Sequence, residues 1–177
     1  QVRDEGGLLD TIEQLQGFEA AAGAWESDIL AARVTGYAPA TLDGLSISGE
    51  VSWGRFNRRV SEENGRAVQN ALRRSLPISL GLREDLPWLL DDPSATGERL
   101  LGAAGEVVDF LSRRGASFLP DIVAGTRRLP TEVEDTLWKL AAMGLVTTDG
   151  FGPVRNMVNG AAKRVRQSTR FRRRSGR

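Results

Sequence analysis

Apolar positions recur along this chain in two rhythms, one helical and one alternating. Leu8, Leu9, Ile12 and Leu15 share a face at helical spacing, as do Ala21, Trp25, Ile29 and Ala32 in the stretch from Ala20 to Val34, so both are predicted helices with Trp25 as a core anchor. Gly17 ends the first, and Gly36 to Pro39 make a turn. Pro39 suits a first helical turn, Leu42, Leu45 and Ile47 face inward, and Gly49 stops that helix. Glu50 to Trp53 then alternate in polarity and predict a strand. A return strand is predicted over Leu76 to Arg83, with Pro77 placing its start at an edge. Between these strands, Gly54 to Arg74 is polar and reads as a long wing loop. A linker, Glu84 to Pro93, precedes a second amphipathic helix that opens at Ser94 or Thr96, carries Leu100, Leu101, Ala104, Val107, Val108 and Leu111, and ends at Gly115. Ala116 to Phe118 is short and β-like, and Leu119 to Arg127 is helical. In the stretch Pro130 to Arg155, Thr131 and Glu134 form a capping-box pattern, and Val133, Leu137, Leu140 and Ala141 form a stripe. Gly144 sits where a left-handed C-terminal residue is wanted, Leu145 to Thr148 favour a strand, and Asp149-Gly150 is a hairpin turn signal.

Helix, short strand, helix, helix, hairpin is the order of a winged helix. A helix, a glycine stop and a strand occur twice at the same spacing: Leu42, Leu45, Gly49 and Val51 are spaced like Leu137, Leu140, Gly144 and Val146, 95 residues on. The predicted fold is therefore mainly α with small β-hairpins, in two tandem winged-helix-like units. Residues 1–83 form the first, 84–93 the linker, 94–160 the second, and 161–177 a tail expected to be disordered when alone. Winged helices commonly bind nucleic acid, but fold alone leaves pure protein contacts open.

Charge sharpens this reading. The net charge of +1 conceals a split: residues 161–177 carry eight basic side chains and no acidic ones, which leaves 16 basic against 23 acidic in residues 1–160, a net of −7. An acidic body with a basic tail speaks to partners rather than to fold. With neither cysteine nor histidine, disulfides, ordinary zinc sites and the usual nucleophile–base pairs are excluded. No Walker-type G-x-x-x-x-G-K-[ST] motif occurs, so no phosphate-cradling loop for ATP is expected. There is no apolar run of about 18 residues to span a membrane, and residues 1–5 do not read as a signal peptide. The expected setting is cytoplasmic, and a chain opening without Met is expected to be a piece of a longer protein.

The segment Leu15 to Phe56 resembles the C-terminal region of the large helicase-related (Lhr) proteins. The resemblance is carried by Gln14 to Gly17, Glu26 with Leu30 to Val34, Tyr37-Ala38-Pro39 with Leu42, Asp43 and Leu45, and Gly49 to Trp53. Farther on, Gly115 to Phe118, Glu134 with Leu137-Trp138, Gly144 to Asp149, and Pro153-Val154-Arg155 are similar to further motifs of that family. Ala31 stands where the family often has proline, and Val154 where it has leucine. The resemblance implies an accessory region of tandem winged helices in an ATP-driven 3′-to-5′ DNA helicase linked to DNA repair. ATP and magnesium would bind elsewhere in the parent, and no cofactor is expected in this chain. The region is also similar to a winged-helix class of DNA glycosylases, yet no family active-site motif falls on these positions, so no catalytic residue is expected.

The candidate nucleic-acid-binding residues are Trp53, which reads equally as a base-stacking side chain and as one packed on its own core, Arg55, Arg58 and Arg59 beside it, Arg127 and Arg128 ahead of the third helix, and Lys163, Arg164 and Arg166 in the tail. The expected partners are DNA, single-stranded or at a strand junction, the other domains of the parent helicase, and a second copy of the chain; a membrane is not among them. Two other readings stay open at this point. One is oligomerisation or protein docking, which the acidic body favours. The other is a part in base excision, with Asp43 or Asp149 near a flipped base.

Overall fold

The computed structural model describes residues 5–56, 75–90 and 100–160. It opens with α1 (Glu5–Leu15), a two-residue strand β1 (Ala20–Ala21), and a helical run made of α2 (Ala22–Ala24), a π-helical turn (Trp25–Leu30) and α3 (Ala31–Arg33). Next come α4 (Pro39–Ser48), β2 (Val51–Gly54), β3 (Pro77–Leu82), a 3-10 turn (Arg83–Asp85) and α5 (Leu86–Leu89). The second half holds α6 (Gly102–Arg114), α7 (Leu119–Thr126) and α8 (Pro130–Ala142), and residues 152–160 form α9. The predominance of helix with one small antiparallel sheet agrees with the fold class predicted from the sequence.

The sheet runs β1-β3-β2, with Ala20 opposite Ile78 and Trp53 opposite Leu80. All four residues of β2 are buried. The π turn has a visible purpose. Its i→i+5 spacing brings Trp25 and Leu30, both fully buried, onto one face. The indole N–H of Trp25 then donates to the Ile78 carbonyl at 2.9 Å, tying the helical run to the central strand.

Two cores result. Leu8, Ile12, Trp25, Leu30, Leu42, Val51, Trp53, Ile78 and Leu80 fill the first, and Val107, Phe110, Ile122, Val133 and Leu140 fill the second. The first core is not made from the first half of the chain alone. Ala141, Ala142, Phe151, Val154 and Met157 also sit in it, so the chain folds back after α8 and closes the first unit with α9.

Several local expectations are corrected. The stretch 145–148 forms no strand and Asp149-Gly150 no hairpin; residues beyond them enter α9 instead. The segment is held to β2 by side chains, with the Thr147 hydroxyl donating to the Trp53 carbonyl, which replaces a backbone ladder. Ala116 to Phe118 is likewise irregular. The capping box is not realised: Leu129 occupies the position before α8, no side chain caps it, and Pro130 starts the helix with its preset φ. The expected linker carries structure over residues 83–89. Most of the wing (57–74), residues 91–99, and the tail (161–177) lie outside the described residues. The 95-residue echo is realised in its helices and caps. Gly49 and Gly144 are both left-handed, at φ 85° and 71°. The amides of Glu50 and Leu145 bond back to Leu45 and Leu140 at 3.0 and 2.9 Å, the six-to-one pairing of a Schellman cap.

Candidate functional site

The densest polar constellation in the described residues lies where α9 meets the first unit. α9 delivers Arg155, the π turn delivers Glu26, and α4 delivers Asp43. The Arg155 guanidinium donates to both carboxylates in forked geometry, at 2.7 and 2.8 Å to Glu26 and at 2.9 and 3.1 Å to Asp43. The Tyr37 hydroxyl donates to Glu26 Oε1 at 2.7 Å. Each member is partly buried, with Arg155 at 25% and Glu26 at 18% side-chain exposure. Both acids raise the pKa of Arg155 further above its already basic range. Burial, and then the bond to the Glu26 carboxylate, pushes the Tyr37 phenol well above its ordinary value. Chemically this is a clasp. Both Asp43 oxygens accept from Arg155, so Asp43 is not a free carboxylate poised for a reacting base. Asp149 is exposed.

A second junction forms at the end of β2. Trp53 is 1% exposed, stacks on Trp138 of α8 with ring centroids 6.4 Å apart, and donates its indole N–H toward Thr148 Oγ1 and the Gly150 carbonyl at 3.3 and 3.2 Å. It is a core side chain and offers no ring face to a nucleic-acid base. Arg55 is also turned inward: its Nη1 donates to the Ala142 carbonyl at the end of α8 at 3.1 Å, and its Nε lies 3.7 Å from Glu19. The cation completes the C-terminus of α8, where the helix dipole favours positive charge.

The arginines ahead of α8 diverge. Arg128 forks onto Glu106 of α6 at 2.7 and 2.9 Å and pairs with Glu132 of α8. That hydrogen bond holds the Glu106 carboxyl below its ordinary range. Arg127 is exposed, and it is the one non-glycine among the described residues with positive φ, at 54°. Arg58, Arg59, Lys163, Arg164 and Arg166 lie outside the described residues. The structure thus takes Trp53, Arg55 and Arg128 into internal contacts and leaves Arg127 outward. Sequence reading missed the clasp, because Glu26 and Arg155 stand 129 residues apart and nothing local links them. No group of acidic residues that could hold a metal ion occurs among the described residues, and no helix there is long and apolar enough to cross a membrane.

The residues of the clasp, together with Trp53 and Trp138, are among those that carry the family resemblance, and comparison with known proteins agrees. Residues 1–70 match the family profile of the large helicase-related protein, winged-helix domain. The chain is 31% identical over 156 residues to an Lhr helicase/probable uracil glycosylase of Mycolicibacterium smegmatis, covering 87% of the chain and 9% of that protein. It is 28% identical over 170 residues to an Lhr helicase/uracil glycosylase of Escherichia coli, covering 93% and 10%. The chain spans about a tenth of the length of these relatives. The chain is thus similar over most of its length to a segment of large helicase-related proteins, and residues 1–70 match that family's winged-helix domain.

Proposed function

We propose that the chain is a non-catalytic nucleic-acid-binding and scaffolding module of an Lhr-type 3′-to-5′ DNA helicase acting in repair. The observation that carries the reading is the winged-helix match over residues 1–70, in a chain whose relatives are named helicases. ATP hydrolysis would belong to other parts of the parent, since no phosphate-binding loop occurs here. The cations left to meet phosphate are Arg127, Arg58 and Arg59 of the wing, and Lys163, Arg164, Arg166 and their neighbours in the tail. The target would be single-stranded DNA or a strand junction. The test is a salt titration of DNA binding by the intact chain and by a chain lacking residues 161–177. The truncated chain should bind more weakly, with little sequence dependence and a flatter response to salt; identical slopes would remove the tail from the interface.

A second reading, protein docking or self-association, is favoured by Leu101, Phe118 and Leu129. These immediately precede α6, α7 and α8 and are 80%, 81% and 69% exposed. Sedimentation over a wide concentration range tests it, because a monomer throughout would rule out self-association.

A further inference from the structure

One apolar face of the first unit is left open to solvent in acidic surroundings. In α5, Leu89 turns inward over Gly17 and Gly81, while Trp88 and Leu90 stay 68% and 38% exposed. The Trp88 ring is held in place by its N–H, which donates to Asp85 at 3.1 Å. Glu84, exposed one helical turn before Trp88, also rims a groove of about 370 Å³. Leu9 and Leu82 supply the apolar lining of that groove; Asp10, Glu13 and Glu50 join Glu84 around it, against Arg83 alone. The sequence continues from Leu90 into Asp91 and Asp92. A nucleic acid would be repelled from this face, whereas a cationic segment carrying an aromatic side chain would complement both its charge and its apolar surface.

The chain itself supplies such a segment. Residues 161–177 carry eight basic side chains and no acidic ones, with Phe171 between Arg170 and Arg172. They follow α9, whose Met157 lies in the same core as Leu8 and Ile12 of α1. Fully extended, the 17 residues reach roughly 60 Å. We propose that the face of Trp88, Leu90 and the adjoining acidic groove holds residues 161–177 of this chain when nucleic acid is absent. Guanidinium groups would lie over the Trp88 ring and against the Glu84 side of the groove. Nucleic acid then competes for the same arginines, which makes the face a counterweight that discourages weak, non-specific binding.

This goes beyond the DNA-binding reading, and its test contains no nucleic acid. The chain has no cysteine, so Ser175→Cys gives a single site for a paramagnetic label on the full chain. Amide signals of residues 9–13, 49–50 and 82–90 should be broadened at low salt. They should recover at about 1 M salt, where screening leaves a Debye length of only about 3 Å. Trp88→Ala and Glu84→Gln, at two exposed positions, should each relieve the broadening without changing the rest of the spectrum. Broadening that is absent, that spreads evenly over the surface, or that survives both substitutions would overturn the proposal.

Discussion

Arg155 is where the charged geometry converges, and its removal would leave Glu26 and Asp43 facing each other half-buried. Exposed pairs are worth under ~1 kcal/mol and fully buried ones cost ~3–5 kcal/mol when broken, so Arg155→Ala should lose about 2 kcal/mol in urea unfolding. Arg155→Lys should recover little of that loss, because a point charge cannot fork onto two carboxylates. Tyr37 gives a pH signature. Its folded pKa is raised, so the folded state keeps the phenolic proton after the unfolded chain has lost it. The stabilisation is fully present below about pH 10, the ordinary phenol value, and is lost as pH rises from there toward the folded value. Tyr37 is the chain's single tyrosine, so its phenolate absorbance can be followed without overlap and should emerge only with unfolding. Tyr37→Phe should flatten the alkaline decline. Trp53 yields the clearest contrast with its sequence-based role. Trp53→Ala should cost about 3–5 kcal/mol of stability, visible in thermal melts, and any loss of DNA affinity should follow unfolding.

At the scale of elements, the end of α8 and the end of β2 are built against each other. Gly144 is left-handed, and a Cβ there would come within 2.5 Å of the Arg55 carbonyl oxygen. Gly49 has the same conformation, but its nearest neighbour is the flexible Arg83 side chain at 3.5 Å. Gly49→Ala should therefore cost only the left-handed penalty of about 1–2 kcal/mol. Gly144→Ala should cost clearly more, because the neighbour that must move is backbone. Equal losses in parallel denaturant titrations would show that the Arg55 contact is slack. The same junction explains the missing second hairpin. Thr147 and Thr148 spend their hydroxyls on β2 and on the local turn, and Phe151, at 1% exposure, draws the following residues into the first core.

At the scale of the whole molecule, the charge split governs the nucleic-acid prediction. Each phosphate neutralised contributes a salt slope of about 0.9 on duplex DNA or about 0.7 on single strands, so engagement of half the basic residues in 161–177 would change the slope by roughly 3–4 on deletion. Residues 1–160, with a net charge of −7, would offer little non-specific attraction of their own. The clasp adds a coupling. Arg155 anchors α9 to α4 and the π turn, and residues 161–177 follow α9 directly. Arg155→Ala should therefore loosen the base of the tail, with faster amide exchange in 152–160 than in α6.

What the sequence determined by itself is what short-range physics controls. The stripes of Leu8 to Leu15 and of Val133 to Ala141, Pro39 at a helix start, and the left-handed stops at Gly49 and Gly144 follow from periodicity and backbone sterics within a few residues. The antiparallel pairing of 51–54 with 77–82 was legible because each strand carried its own apolar pattern. Only the tertiary structure decided where those elements dock. Trp53 reads equally well as a stacking platform and as a core residue until Trp138 is seen lying on it. Asp43 reads either as a carboxylate near a flipped base or as a helix aspartate paired with an arginine until Arg155 is seen arriving from 112 residues away. Residues 145–151 read as a hairpin until a buried site for Phe151 outweighs a marginal two-strand ladder. Burial and ion pairing depend on which surfaces meet, and no local pattern encodes a partner more than a hundred residues distant.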